Sequence, residues 1–277
     1  MREHRLRIGD RAVTLIAGPA GWGESSPLPG YPCAPVASRR AAEEAACAGW
    51  PAPVRAAVPV NALVDRAPVD AGALAGVPAV KVKVGRPDPN DDVELVADVR
   101  EAVGPHIPVR VDANAAWDVE TAERVIRRLA PQDLELVEDP VGGLDELARL
   151  RRRVDVPMAA DACVRSVDDA RRLATLHAAD AVVLKVQPLG GVRAALQVAE
   201  AAGVPAIVTS MRETSIGIAA GLALAAALPD LPHACGLTAR MPGGDVVAEP
   251  LVPVDGRLRV RRVTPAPELL ARYEVTG

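Results

Sequence analysis

From residue 58 onward the chain repeats a two-part pattern. A short apolar run ends on a polar residue, a Gly, Pro or Asp turn follows, and then comes an Ala/Leu/Arg stretch with apolar positions three and four apart. The runs lie at 58–63 (VPVNAL), 79–85 (AVKVKVG), 107–114 (IPVRVDAN), 134–140 (LELVEDP), 156–162 (VPMAADA), 180–188 (DAVVLKVQP), 204–210 (VPAIVTS) and 233–237 (HACGL). The stretches between the later runs include 92–103, 118–130, 145–154, 166–178 and 191–203. Short, largely apolar runs of this length read as strands, and the three-and-four spacing reads as amphipathic helix. Strands alternating with helices argue for a parallel sheet wound by right-handed crossovers. Eight such strands predict an α/β fold, a (β/α)8-type (TIM-like) barrel. A doubly wound open sheet is the alternative, but no G-x-G-x-x-G follows the first strand.

The two chain ends stand outside this rhythm. Residues 1–57 predict two or three strands, RLRIG and AVTLIAG among them, a Gly/Pro/Ser-rich loop at 18–32 and one helix over 38–49. The tail from 247 to 277, with PLVPVDGRLRVRRV, reads as β-rich. Both ends are expected to form one reduced α+β capping domain. Residues 1–57 would be its N-terminal part, 58–246 the catalytic barrel, and 247–277 the segment returning to the cap.

Composition narrows the functions available. The 277 residues carry 32 Lys and Arg against 36 Asp and Glu, a formal charge of −4, which offers no basic footprint to nucleic acid or to an anionic membrane. The longest apolar stretch, 216–229, is shorter than the roughly 18 residues of a spanning helix, and the N-terminus has no apolar signal region. Cys33, Cys47, Cys163 and Cys235 contain no C-x-x-C pair and read as buried thiols. A cytoplasmic protein is expected.

One count points to chemistry. Of the 32 basic residues only Lys81, Lys83 and Lys185 are lysine; the rest are arginine. Arg stays protonated in proteins, whereas Lys can lose its proton and act as a base. All three lysines fall at predicted strand ends, where barrel enzymes place their reactive groups. The same ends carry Asp112 and Asn114, then Glu138, Asp161 and Ser210. Lys81 and Lys83 are two apart and share one face of a strand. Either K-V-K is a solvent-facing alternation, or two ammonium groups crowd one interior and one of them serves as a general base.

Asp112, Glu138 and Asp161 end three consecutive strands. Carboxylate-only oxygen ligands suit Mg²⁺, with Mn²⁺ possible, although an acid after a strand can equally be a turn or cap. Asp118 and Asp139 fit the cap and turn reading. Lys185 either faces Lys83 across the mouth or makes an interior ion pair. Asn114, Ser210 and Gly236 could bind substrate or support the site, or could be turn residues. Trp22 and Glu24 sit in the 18–32 loop, which could cover the mouth as a lid or stay solvated. None of His4, His106, His177 or His233 is assigned chemistry.

In order, K-V-K at 81–83, V-D-A-N at 111–114, V-E-D-P at 137–140, A-A-D at 159–161 and L-K at 184–185 resemble the enolase superfamily, in its muconate lactonizing enzyme subgroup. The resemblance implies a cap-plus-barrel fold with Mg²⁺ on Asp112, Glu138 and Asp161. It also implies Lys83 as acid/base, Lys81 as its support and Lys185 on the opposite face of a small-molecule carboxylate substrate. GWGESSPLPGYP, VPVNALV and TSMRETSIGIAAGLALAAALP followed by HACGL are similar to one branch of that subgroup. That branch dehydrates 2-succinyl-6-hydroxy-2,4-cyclohexadiene-1-carboxylate in menaquinone biosynthesis. Arg212 and Glu213 carry more charge than the branch pattern has after its seventh strand. The same site could instead support N-acylamino acid racemisation, dipeptide epimerisation or lactonizing cycloisomerisation. Schiff-base aldolase chemistry on Lys185 and a binding-only barrel are the more distant alternatives.

Overall fold

The N-terminal segment folds as a three-stranded antiparallel sheet, and the first strand shows why. In β1 (Arg2–Ile8) alternate residues Leu6 and Ile8 are buried while Arg5 and Arg7 are exposed, the period of a half-buried strand. A tight turn at Gly9 and Asp10 leads into β2 (Arg11–Gly18), whose Leu15 pairs with Glu24 of β3 (Gly21–Ser25). The computed structural model describes residues 1–238 and 241–275. β3 corrects the expectation of a loop over all of 18–32, in which Trp22 and Glu24 either covered the mouth or stayed solvated. Both lie on this strand. The alternating glycines of G-W-G-E hide the strand in an apolarity pattern, yet they have a packing purpose. A Cβ on Gly23 would fall 2.0 Å from the Ala42 carbonyl of α1 (Pro35–Cys47), so only glycine lets that helix lie against the sheet.

Beyond β4 (Ala57–Pro59) come the parallel strands: β5 (Ala62–Val64), β6 (Val80–Lys83), β7 (Val109–Asp112), β8 (Leu134–Glu138), β9 (Met158–Ala160), β10 (Ala181–Leu184) and β11 (Ala206–Val208). They form a seven-stranded sheet in the order β11-β10-β9-β8-β7-β6-β5. The predicted helices follow as α2 (Pro89–Val103), α3 (Val119–Leu129), α4 (Leu144–Arg151), α5 (Val167–Leu176) and, after the single turn α6 (Val186–Leu189), α7 (Val192–Ala202). Side chains set their starts: Asp88, Asp118 and Ser166 accept the Asn90, Thr121 and Asp169 amides at the N-caps of α2, α3 and α5.

The expected eighth strand is reduced to an isolated parallel bridge between Thr209 and Gly236. Its backbone is still occupied, with the Ser210 and Cys235 amides donating to the Gly236 and Pro59 carbonyls and the Gly236 amide to Val208. Residues 58 and 59 of the first predicted run pair elsewhere, with β12 (Arg257–Arg259), where Leu258 lies opposite Val58. The tail is also not β-rich. After that one short strand it forms α9 (Pro267–Tyr273), entered through a proline at its first turn.

The chain divides into two units, one of 1–59, 184–198 and 207–277, the other of 60–183 and 199–206. This division differs from boundaries at 57 and 246, because α6 packs on α1, and α8 (Ser215–Ala227) packs on β3. α8 is buried from Ser215 through Ala226, apolar on every side as a central helix must be. No helix among the described residues is long and apolar enough to cross a membrane.

Candidate active site

Parallel register lines up the chemistry of the second unit. Lys83 lies opposite Asp112, and Asp112 opposite Glu138, so three strand ends present their side chains in one row. Lys81 Nζ donates to Asp112 Oδ2 at 2.9 Å and to Glu138 Oε1 at 3.1 Å. Lys83 Nζ donates to the same Asp112 oxygen at 2.6 Å and to Asn114 Oδ1 at 3.1 Å. K-V-K therefore turns its shared face toward the carboxylates of the neighbouring strands. The two lysines differ in exposure: the Lys81 side chain is 11% exposed and that of Lys83 is 32% exposed. Lys81 is locked between two carboxylates, and Lys83 is the more open of the two.

Asp112 is the hub. Burial works to raise its pKa, but the ammonium groups of Lys81 and Lys83 outweigh burial and hold the carboxyl well below the usual range. Its other oxygen accepts the Asn114 amide at 3.1 Å, across a turn where Asn114 takes a positive φ of 47°. Asp112 thus forms an Asx turn closed by the Asn114 backbone amide, while the Asn114 side chain accepts from Lys83.

Asp161 follows β9 and is placed by a residue read from sequence as a mere turn former. The Asp139 carboxylate accepts the Asp161 and Ala162 amides at 2.7 and 2.9 Å. Asp139 is buried, and burial with the neighbouring Asp161 charge pushes its pKa up to about 7. The V-E-D-P motif therefore supplies two working acids, one facing Lys81 and one holding the next strand end. A signal existed in the sequence, since two adjacent acids at a strand end point to different sides. Asp118, by contrast, is the helix cap it was expected to be.

Three buried carboxylates at neighbouring strand ends are a hard-oxygen donor set of the kind that suits a small dication. As the side chains stand, no three acidic, His or Cys residues among the described residues are gathered around one point as an ion's ligands are. Lys81 instead sits on both Asp112 and Glu138 and supplies the positive charge they face.

The remaining predicted residues belong to the first unit. Lys185 is the N-cap residue of α6, buried, with its Nζ 4.5 Å from the Tyr31 ring centroid and 3.4 Å from the Tyr31 hydroxyl. Tyr31 went unnoticed in the sequence because a single aromatic in a Pro/Gly loop has no periodicity. Ser210 and Gly236 are joined through backbone, by the bridge segment described above. Trp22 packs near the His4 ring, at 5.5 Å between centroids. Glu24 is fully enclosed: it accepts the Ser26 hydroxyl at 2.5 Å, the Thr214 amide at 3.2 Å, the Gly217 amide at 2.9 Å and the Thr214 hydroxyl. Both lie on β3, Glu24 buried and Trp22 half-buried against the core of that unit.

Glu213 is the larger surprise. Arg212 points outward at a positive φ of 59°, and the turn carries Glu213 into the interior, where its Oε2 accepts the Met211 amide at 2.6 Å. Burial, and then the Glu24 charge, push Glu213 up to about 7, with the Arg11 guanidinium working the other way. Gly217 is needed here, since a Cβ on it would meet Glu213 Cβ at 2.5 Å. The unusual charge after the seventh strand is thus an interior polar contact of one unit.

Comparison with known proteins gives a consistent picture. Residues 64–265 match the model of the enolase C-terminal domain-like family. An o-succinylbenzoate synthase of Thermobifida fusca is 53% identical over 98% of this chain and 89% of its own length. The o-succinylbenzoate synthase of Mycolicibacterium smegmatis is 45% identical over 98% of this chain and 86% of its own. Among solved structures, muconate cycloisomerase from Pseudomonas fluorescens superposes with a TM-score of 0.83 at 25% identity, covering 99% of this chain and 97% of that one. Muconate lactonizing enzyme from Klebsiella pneumoniae gives 0.85 at 21% identity, covering 99% and 98%.

Proposed function

We infer the activity from the premise that this chain belongs to the enolase superfamily. It is an o-succinylbenzoate synthase, a lyase that removes water from 2-succinyl-6-hydroxy-2,4-cyclohexadiene-1-carboxylate. The fold is read as a full barrel with a reduced cap. Residues 233–237 support closure, since they are hydrogen-bonded to both Val208–Ser210 and Pro59.

One observation carries the reaction onto this chain's residues: Lys83, half open to solvent, shares an Asp112 oxygen with the enclosed Lys81. Lys83 in its neutral form takes the proton from the carbon beside the substrate carboxylate. Now an ammonium, it gives that proton to the hydroxide leaving from the same face, so one hydrogen and one hydroxyl depart as water. A single residue serves as base and then as acid. Asn114 and Asp112 hold the Lys83 nitrogen through both steps, and Lys81 keeps Asp112 ionised. Asp112, Glu138 and Asp161 are the residues that would hold Mg²⁺ or Mn²⁺, which when bound stabilises the negative charge that grows on the substrate carboxylate. Asp139 keeps Asp161 in place for that purpose. Lys185, whose Nζ lies 4.5 Å from the Tyr31 ring centroid, is assigned as a cation–π partner of the substrate ring. Ser210 and Gly236 are assigned to substrate contact through the segment they share.

The test is ultraviolet absorbance of the cyclohexadiene with purified protein, first with Mg²⁺ and then with EDTA. Rapid conversion to the aromatic product that stops on chelation is expected. No conversion in folded, metal-loaded protein would overturn the dehydration and turn the same residues over to racemisation or cycloisomerisation.

A further inference from the structure

Gln187, two residues after Lys185, lies at the centre of the polar network that no step above uses. It is buried, and its amide fills every hydrogen-bonding position it has. Its Oε1 accepts the Ser26 amide at 2.8 Å and the Ser38 hydroxyl at 2.6 Å. Its Nε2 donates to Ser26 Oγ at 3.2 Å and to Glu213 Oε1 at 3.4 Å. One side chain therefore joins the turn of α6, the start of the loop after β3, helix α1 and the segment after β11.

Ser26 is the counterpart on the loop, and all of its polar groups are used. Besides both Gln187 contacts, its hydroxyl donates to Glu24 and its carbonyl accepts Arg11 Nη2 at 2.5 Å. Five residues further on, the loop turns back on itself through the Tyr31 amide to the Leu28 carbonyl at 3.1 Å, and places the Tyr31 ring against Lys185. The path from Gln187 to Lys185 is thus short in both directions, through one turn of helix and through one anchored loop. Glu24 and Glu213 fit as the acceptors that finish the network.

We propose that Gln187 is a positioning residue for Lys185, which fixes the ammonium under Tyr31 by tying the α6 turn to the loop that bears that ring. A buried apolar side chain at 187 would fill the space equally well, but it would remove one of the partners of Ser26, Ser38 and Glu213 and release the loop. The inference rests on the reading of Lys185 as a charged substrate-face residue. Its test does not depend on turnover.

The scarcity of lysine makes the test direct. The full-length protein is acylated with an amine-reactive acetyl ester and the modification of each lysine is followed by peptide mass spectrometry, with Lys81 and Lys83 as internal references. Tyr31→Ala is expected to raise the Lys185 rate about tenfold relative to Lys83, and Gln187→Met to raise it about threefold to tenfold, the worth of one or two hydrogen bonds. Should Gln187→Met not fold, Ser38→Ala removes one of the four contacts and is expected to give about threefold. Tyr31→Ala with a raised rate and Gln187→Met or Ser38→Ala at the wild-type rate would overturn the positioning role, as would no change in Tyr31→Ala. A wild-type protein that fails to dehydrate the cyclohexadiene but shows this labelling pattern would overturn the activity alone.

Discussion

Asp112 in one unit and Glu213 in the other are both buried carboxyls, one ending a strand of the parallel sheet and one following another, yet they are driven in opposite directions. Asp112 faces two ammonium groups at 2.6 and 2.9 Å and stays ionised in spite of burial. Glu213 faces a second carboxylate, Glu24, with one guanidinium to offset the pair, and there burial prevails. Equal burial therefore does not give equal charge; the neighbours decide. The first arrangement suits proton transfer and cation binding, since its charges are paired but not all enclosed. The second is sealed, and its use is to hold backbone segments together.

The sharpest way to break this contrast is to alter the cluster assigned to chemistry. Lys83→Arg keeps the positive charge on Asp112 but removes a group that can release its proton. Turnover of the cyclohexadiene should fall by roughly 10³-fold, in the range for loss of a general acid–base. Circular dichroism and melting should stay close to wild type. Substantial residual turnover in the arginine variant would remove Lys83 from the role of base. Glu138→Gln tests the cation side of the same cluster: Mg²⁺ affinity by titration calorimetry should drop on the order of 100-fold. An unchanged affinity would place the ion on other ligands.

Much of the contrast was legible in the chain, and unevenly so. The lysine–carboxylate cluster could be read because parallel strands bring consecutive strand ends together, so position in the repeat stands in for position in space. Lys81, Lys83, Asp112 and Glu138 meet for that reason. The Glu24–Gln187–Glu213 network could not, since its members lie up to 189 residues apart and follow no shared period. Likewise β3 was missed where glycines replaced the apolar half of a strand pattern, and α9 where a proline that opens a helix was read among strand residues. Asp139 was set aside as a turn former because turn formation and a buried second task look alike in one dimension.

The sealed cluster should reveal itself through pH. Glu213 ionises near its ordinary value of 4.5 when unfolded and at about 7 when folded, chiefly because of burial. Between those values the folded protein holds the extra proton, so stability falls as pH rises through this window and then levels off. At about 1.4 kcal/mol per pKa unit the cost approaches about 3 kcal/mol by pH 8. Asp112 acts in the opposite sense: its stabilisation is present above the unfolded pKa of 3.8 and is lost only as pH falls below it. Urea unfolding of Glu213→Gln at pH 5, 6, 7 and 8 should show a shallower decline than wild type, with Asp139 and Glu24, also raised by burial, keeping the rest of the slope. Parallel curves for the two proteins would mean that Glu213 is ionised in the folded state and that the two carboxyls do not differ as argued.

The smallest effect supplies the control. Ser166 belongs to neither cluster: its hydroxyl accepts the Asp169 amide at 3.1 Å at the start of α5 and donates to the Asp169 carboxylate at 2.8 Å. Ser166→Ala removes that cap and should cost about 1 kcal/mol of stability, the usual worth of an N-cap hydroxyl. Its urea midpoint should shift by the same amount at pH 5 and at pH 8, because the Ser166 hydroxyl does not itself titrate. Mg²⁺ affinity and turnover should also stay at wild-type values. A pH-dependent loss in this variant would show that the slope assigned to Glu213 arises from general loosening of the fold, and the contrast between the two clusters would then lose its physical basis.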